Sequence, residues 1–169
     1  VSVSPAPAAF TVGGGGNYCT GGAGVPVTMS GSASGVNYQL YRGLTAVGGT
    51  VAGTGSALDF GAQTLSGNYT VMATSIGVGC SANKIGSATV GVNPAPAAFP
   101  VIGGGHYCAG GSGVHIGISG SNITASYQLY KAGMPVGSAM LGTGSGIDFG
   151  LQTAAGIYTV MASNGTTGC

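Results

Sequence analysis

Charge is almost missing from this chain. Its 169 residues include three Lys or Arg and two Asp or Glu, for a formal net charge of +1. Ordinary domains carry roughly 25% charged residues, whereas 3% are charged here. Arg42, Lys84 and Lys131 are scattered, so there is no basic patch for nucleic acid and no basic amphipathic face for a membrane surface. Tryptophan and glutamate are absent. No apolar run reaches the roughly 18 residues of a membrane-spanning helix. Helix formers are scarce and apolar residues do not recur at helical spacing, which argues against an α-helical fold. With so little charge, copies of the chain repel one another weakly, and such a surface suits packing against copies of itself.

Glycine is abundant, at 37 residues, and the chain repeats itself. Shifted by 89 positions, Val1 falls on Val90, Cys19 on Cys108, Tyr38 on Tyr127 and Cys80 on Cys169, and 44 of the 80 overlapping pairs are identical. A repeat of this kind defines the architecture before any local reading does. Val1-Ser2-Val3-Ser4 matches Val90-Gly91-Val92-Asn93, so residues 1–4 read as the tail of a preceding repeat. Cys169 matches Cys80, so the second repeat stops before its final strand. The expected domains are 1–92 and 93–169, joined at the Pro94-Ala95-Pro96 stretch. The piece is expected to be internal to a larger, processed protein, since neither an initiator Met nor a signal peptide is visible.

Period-two alternation marks the strands. Val25, Val27 and Met29 alternate with Pro26 and Thr28, as Tyr69, Val71 and Ala73 do with Thr70 and Met72. Tyr38-Gln39-Leu40-Tyr41, Ala46–Ala52, Leu58-Asp59-Phe60 and Lys84–Val92 add strands, and Tyr18-Cys19 a short one. Gly13–Gly16, Gly21-Gly22, Gly43, Gly53–Ser56 and Ile76–Gly79 read as turns. About seven short strands per repeat predict an all-β chain of two tandem antiparallel sandwiches without helices.

Chemistry-bearing residues are few. Asp59-Phe60-Gly61 and Asp148-Phe149-Gly150 share their spelling with a kinase motif, but the catalytic loop, nucleotide loop and strand lysine are missing. The two aspartates fall in different repeats, so they make no acid–base pair and read as turn or hydrogen-bonding residues, with weak cation binding as the alternative. His106 and His115 replace Asn17 and Pro26 of the first repeat, so a metal site common to both repeats is not expected. No glycine run matches a phosphate-binding loop, and no Ser-His-Asp arrangement is expected to assemble within one unit. The expectation is therefore a non-enzyme with no cofactor and no metal. Tyr41 and Tyr130 are candidates for stacking on a sugar, although sheet packing accounts for them as well. Asn68-Tyr69-Thr70, Asn122-Ile123-Thr124 and Asn164-Gly165-Thr166 spell glycosylation sequons.

The succession Tyr-Cys-x-Gly-Gly, alternating strand, Tyr-Gln-Leu-Tyr, Gly-x-Tyr-Thr-Val, Gly-Cys resembles the immunoglobulin-like repeats of Bacteroidetes-type secreted and cell-surface proteins. The resemblance implies export and a role in adhesion or extracellular structure. Leu40 and Leu129 stand where antibody-type domains carry the core tryptophan, and Val27 and Val71 where the central disulfide would lie. Gly67-Asn68-Tyr69 and Gly156-Ile157-Tyr158 fit a tyrosine corner, formed by Tyr69 and Tyr158.

Four cysteines in an exported protein read as disulfides. Two patterns are open for Cys19, Cys80, Cys108 and Cys169. Cys19–Cys80 and Cys108–Cys169 would each close a repeat, provided Tyr18-Cys19 lies along the last strand beside Cys80. The alternative links neighbouring repeats or subunits. The functional expectation is a structural repeat of an extracellular filament or long surface adhesin. Its partners are copies of itself: either nine further residues complete the second repeat's last strand, or Val1-Ser2-Val3 of another copy does, which would polymerise the chain head to tail. The alternative is a carbohydrate- or host-ligand-binding adhesin module.

Overall fold

The computed structural model describes residues 3–169, which divide after Asn93 into two compact units. Among the described residues there is no helix.

Unit 1 is a two-sheet sandwich. Its first sheet holds β1 (Val12–Gly14), β3 (Val25–Met29) and β6 (Leu58–Gln63), in the order β1-β3-β6. The second sheet runs from β2 (Gly16–Cys19) through β9 (Ala88–Asn93), β7 (Gly67–Ser75) and β4 (Val36–Arg42) to β5 (Thr45–Ala52), with β8 (Ser81–Asn83) also pairing β7. All pairs between these strands are antiparallel except β2–β9, which is parallel.

The sequence reading of Gly13–Gly16 as one turn is corrected here. Gly13 and Gly14 belong to β1 and Gly16 opens β2, so Gly15 alone carries the chain from one sheet to the other. Its φ is +77°, and a Cβ there would stand 2.5 Å from the Thr89 carbonyl oxygen, so only glycine fits. Gly53 is fixed by space instead, since a Cβ would meet the Ala33 oxygen at 2.0 Å.

The alternating residues meet between the sheets. Val27, Met29, Tyr38, Leu40, Tyr69, Val71, Ala73, Ala88 and Val90 form one buried cluster. Leu40, Val27 and Val71 thus fill the centre with aliphatic packing. Polar atoms inside are satisfied locally. The Tyr38 hydroxyl accepts from the Ala33 N–H at 2.8 Å, and the Ser32 hydroxyl donates to the Ser56 carbonyl at 2.6 Å.

The last strand differs from the continuous Lys84–Val92 run expected. The strand observed, β9, begins only at Ala88, and β8 is a separate short strand that ends before Lys84. Lys84 is 6% exposed and turns inward. Its ammonium donates to the carbonyls of Pro7 at 3.2 Å and Ala8 at 2.6 Å, tying the proline-rich lead-in to the sandwich. Beside it, Thr11 makes a parallel bridge with Ile85.

Burial pushes the Lys84 pKa below the ordinary lysine value. The folded state therefore releases this proton before the unfolded state does. Between the lowered and the ordinary pKa the unfolded chain holds more protons, so stability rises with pH across that window. Urea midpoints compared at neutral pH and just below the ordinary lysine pKa should show this rise in the wild type relative to Lys84→Met. Parallel pH profiles for the two proteins would refute the assignment.

Unit 2 repeats the same plan with fewer strands. One sheet holds β10 (Val101–Gly103), β11 (Val114–Ile118) and β14 (Ile147–Gln152), in the order β10-β11-β14. The other holds β13 (Met134–Leu141), β12 (Ala125–Lys131) and β15 (Tyr158–Asn164), in the order β13-β12-β15. Ile118, Ala125, Tyr127 and Ile147 make its buried cluster.

Candidate functional site: an open sheet edge in unit 2

In unit 1, β9 lies between β2 and β7. Val90 pairs with Gly16 on one side and with Gly67 on the other. Ala88 and Val90 send their side chains into the core, at 1% and 2% exposure. Residues 94–169 do not include the counterparts of these positions. Its β15 is paired on one side, by β12, and its other edge is open. Gly105–Cys108, the equivalent of β2, forms no strand.

Two clefts follow that edge. One, of about 350 Å³, is lined by Tyr107, Val114, Ile116, Gly156 and Tyr158, whose unit 1 equivalents surround β9. The other, of about 330 Å³, is lined by Pro96, Ala97, Phe99, Tyr127 and Met161. In unit 1 the equivalents of Pro96 and Ala97 are Pro7 and Ala8, whose carbonyls hold Lys84. Side chains that are buried in unit 1 lose cover here. Tyr69, Val71 and Ala73 are buried, whereas Tyr158, Val160 and Ala162 are half-buried. Val12 is 4% exposed and its equivalent Val101 is 44% exposed. Among the described residues this side of β15 thus has no sheet partner and lies beside apolar side chains.

The tyrosines at this edge hold its turn. The Tyr69 hydroxyl donates to the Leu65 carbonyl at 2.7 Å, and the Tyr158 hydroxyl to the Ala154 carbonyl at 2.7 Å. The Tyr18 and Tyr107 hydroxyls donate to the carbonyls of Thr64 and Thr153. Of the strand-donor residues expected from sequence, Val1 and Ser2 lie outside the described residues. Val3 is 91% exposed and in no strand.

The cysteines require a correction. Cys80 and Cys108 are free thiols, while Cys19 and Cys169 are disulfide-bonded. The closed-repeat pairs Cys19–Cys80 and Cys108–Cys169 are therefore not formed. Tyr18-Cys19 does lie along the last strand, but in the direction that sets Cys19 against Asn93. Cys80 follows the far end of β7, whose nine residues span about 30 Å. A disulfide needs its two Cα atoms within about 7 Å.

The remaining candidates take local roles. Asp59 and Asp148 each accept from the backbone N–H two residues on, Gly61 and Gly150, at 2.8 Å. These are Asx turns with glycine at positive φ, +78° and +81°. His115 Nδ1 lies 2.7 Å from Asp148 Oδ2 in an exposed pair. Such a pair contributes little to stability in water. Among the described residues no three His, Cys, Asp or Glu side chains gather as metal ligands. Tyr41 and Tyr130 are half-buried on their strands.

Residues 7–94 match the family described as Ig-like domain CHU_C associated, and the chain belongs to that family. Its domains are found in cell-surface proteins and are typically non-catalytic. A search of curated proteins found no match. Among solved structures, the chain is similar to the fibronectin(III)-like modules of Clostridium thermocellum CbhA, with 12% identity and a TM-score of 0.36. That alignment covers 93% of this chain and 87% of the other. Among the described residues no helix is long and apolar enough to cross a membrane.

Proposed function

We propose that this chain is a structural repeat of an extracellular bacterial filament, joined head to tail by strand donation. Membership of an Ig-like family found in cell-surface proteins carries the reading, together with the gapless tandem repeat. The strand that fits the open edge of unit 2 has the sequence type of β8 and β9, and residues 1–4 of another copy are the repeat equivalents of residues 90–93. Adding such a strand would pair the free edge of β15 and cover Tyr158 and Val160. A head-to-tail contact of this kind does not close on itself and grows into a filament. The nearly uncharged surface supports the reading, because little repulsion opposes close packing of copies.

Electron microscopy of the native material tests it. Regular filaments with an axial repeat of one two-unit length are the expected result. Monomers, or flexible strings of separate units, would overturn the filament and leave a surface adhesin stalk.

A further inference from the structure

We infer that unit 1 carries a binding site for a neutral hexopyranose, in a cleft on the outward face of its three-stranded sheet. The inference goes beyond the filament reading and does not depend on it. The cleft has a volume of about 520 Å³, and Gly13, Thr28, Ser30 and Asp59 line it. Val27, Met29 and Leu58 are buried, so Thr28 and Asp59, which alternate with them, stand on the opposite face of the sheet. Gly13, Thr28 and Asp59 lie in register across β1, β3 and β6. Directly opposed positions have Cβ atoms about 5 Å apart. Gly13 has no side chain, so the row is open at β1 and carries a hydroxyl and a carboxylate beyond it.

Three polar groups here have bonding capacity to spare. Asp59 Oδ1 accepts from the Gly61 N–H, and among the described residues its Oδ2 has no partner. The Ser30 hydroxyl accepts from the Thr11 N–H at 3.0 Å and keeps its own proton to donate. The Thr28 hydroxyl makes no hydrogen bond to the described residues. One carboxylate acceptor beside two hydroxyls suits the neighbouring hydroxyls of a sugar ring, each of which both donates and accepts. Ala57 and Leu58 add apolar lining, as a small-molecule site requires. No Lys or Arg lines the cleft. An acidic sugar would therefore meet Asp59 with no counter-charge, and a neutral one is favoured.

Unit 2 shows what closes such a site. The same row there is Ile102, Gly117 and Asp148. Ile102 stands where Gly13 leaves space, and Gly117 removes the hydroxyl. His115, in place of Pro26, sets its Nδ1 2.7 Å from Asp148 Oδ2 and takes up the oxygen that is free in Asp59. The equivalent cleft has a volume of about 290 Å³. The two repeats thus hold an open and an occupied version of one arrangement, and the imidazole nitrogen marks where a sugar hydroxyl would approach Asp59.

The test is an amide NMR titration of the full chain with the methyl glycosides of glucose, galactose and mannose. At least one should shift the amides of Gly13, Thr28 and Gly61 in a saturable way. The Gly150 amide, in the matching turn of unit 2, should stay in place. Asp59→Asn keeps an oxygen for the Gly61 N–H and turns the free acceptor into an N–H donor, so it should weaken binding about tenfold or more. Gly13→Ile copies unit 2 and should block the cleft by bulk alone. Methyl glucuronide should bind more weakly than methyl glucoside. No shift with any of the three neutral glycosides would overturn the site. Shifts that persist in both variants, or that are as large at Gly150 as at Gly61, would do the same. Glucuronide binding equal to that of the neutral sugar would overturn the ligand class.

Discussion

Joining a copy of the Ser81–Asn93 sequence to the C-terminal side of residues 1–169 should stabilise unit 2 by about 3 kcal/mol or more. The estimate counts the apolar side chains that the strand would bury. A fully buried Val contributes roughly 1.5–3 kcal/mol, and the new strand would also re-cover Tyr158 and Val160. For a domain of this size each kcal/mol moves Tm by about 4–8 °C, so the shift in calorimetry should be about 12–24 °C. Fusion is preferable to adding a free peptide, because association alone costs several kcal/mol of lost translational freedom. An appended strand with aspartate at the position equivalent to Val90 should give no gain. If the native strand sequence also gives none, the edge is not a strand acceptor, and the proposed assembly loses its basis.

The second large effect comes from one substitution made in both units. Tyr69→Ala should cost about 3–5 kcal/mol, the usual loss for deleting a buried aromatic ring. Tyr69 is 1% exposed, packs in the core and holds its turn through the Leu65 carbonyl. Tyr158→Ala should cost roughly half as much, because the open edge leaves its ring half-buried with less packing to lose. Tyr69→Phe isolates the hydrogen bond and should cost about 1 kcal/mol. Urea denaturation of the three variants gives the comparison. In the strand-extended chain the Tyr158→Ala loss should rise toward that of Tyr69→Ala. Equal losses in both units without the extension would mean that the missing strand leaves the tyrosine environment unchanged.

Much of the sandwich could be read from the sequence because it follows local rules. Alternation placed Val25–Met29 and Tyr69–Ala73 on strands, and the gapless 89-residue repeat doubled every inference. What stayed hidden depended on direction and on distant partners. Strand propensity does not say that β2 runs parallel to β9, and that direction decides where Cys19 points. Nor does it say that Lys84 leaves the strand to bond Pro7 and Ala8, because those acceptors lie 77 and 76 residues away. The open edge was visible as a mismatch in repeat phase. Its two clefts, and the part played by Met161 and Gly156 in lining them, needed the fold.

The parallel pair β2–β9 also determines how unit 1 carries tension. The chain enters β2 at Gly16, beside Val90, and leaves β9 at Asn93, beside Cys19. Pulling on the two ends of the unit drags these strands past each other lengthwise. The hydrogen bonds of the pair then lie across the pull and must yield together, whereas in a peeling geometry they would yield one after another. A unit held this way resists extension until the whole pair slips.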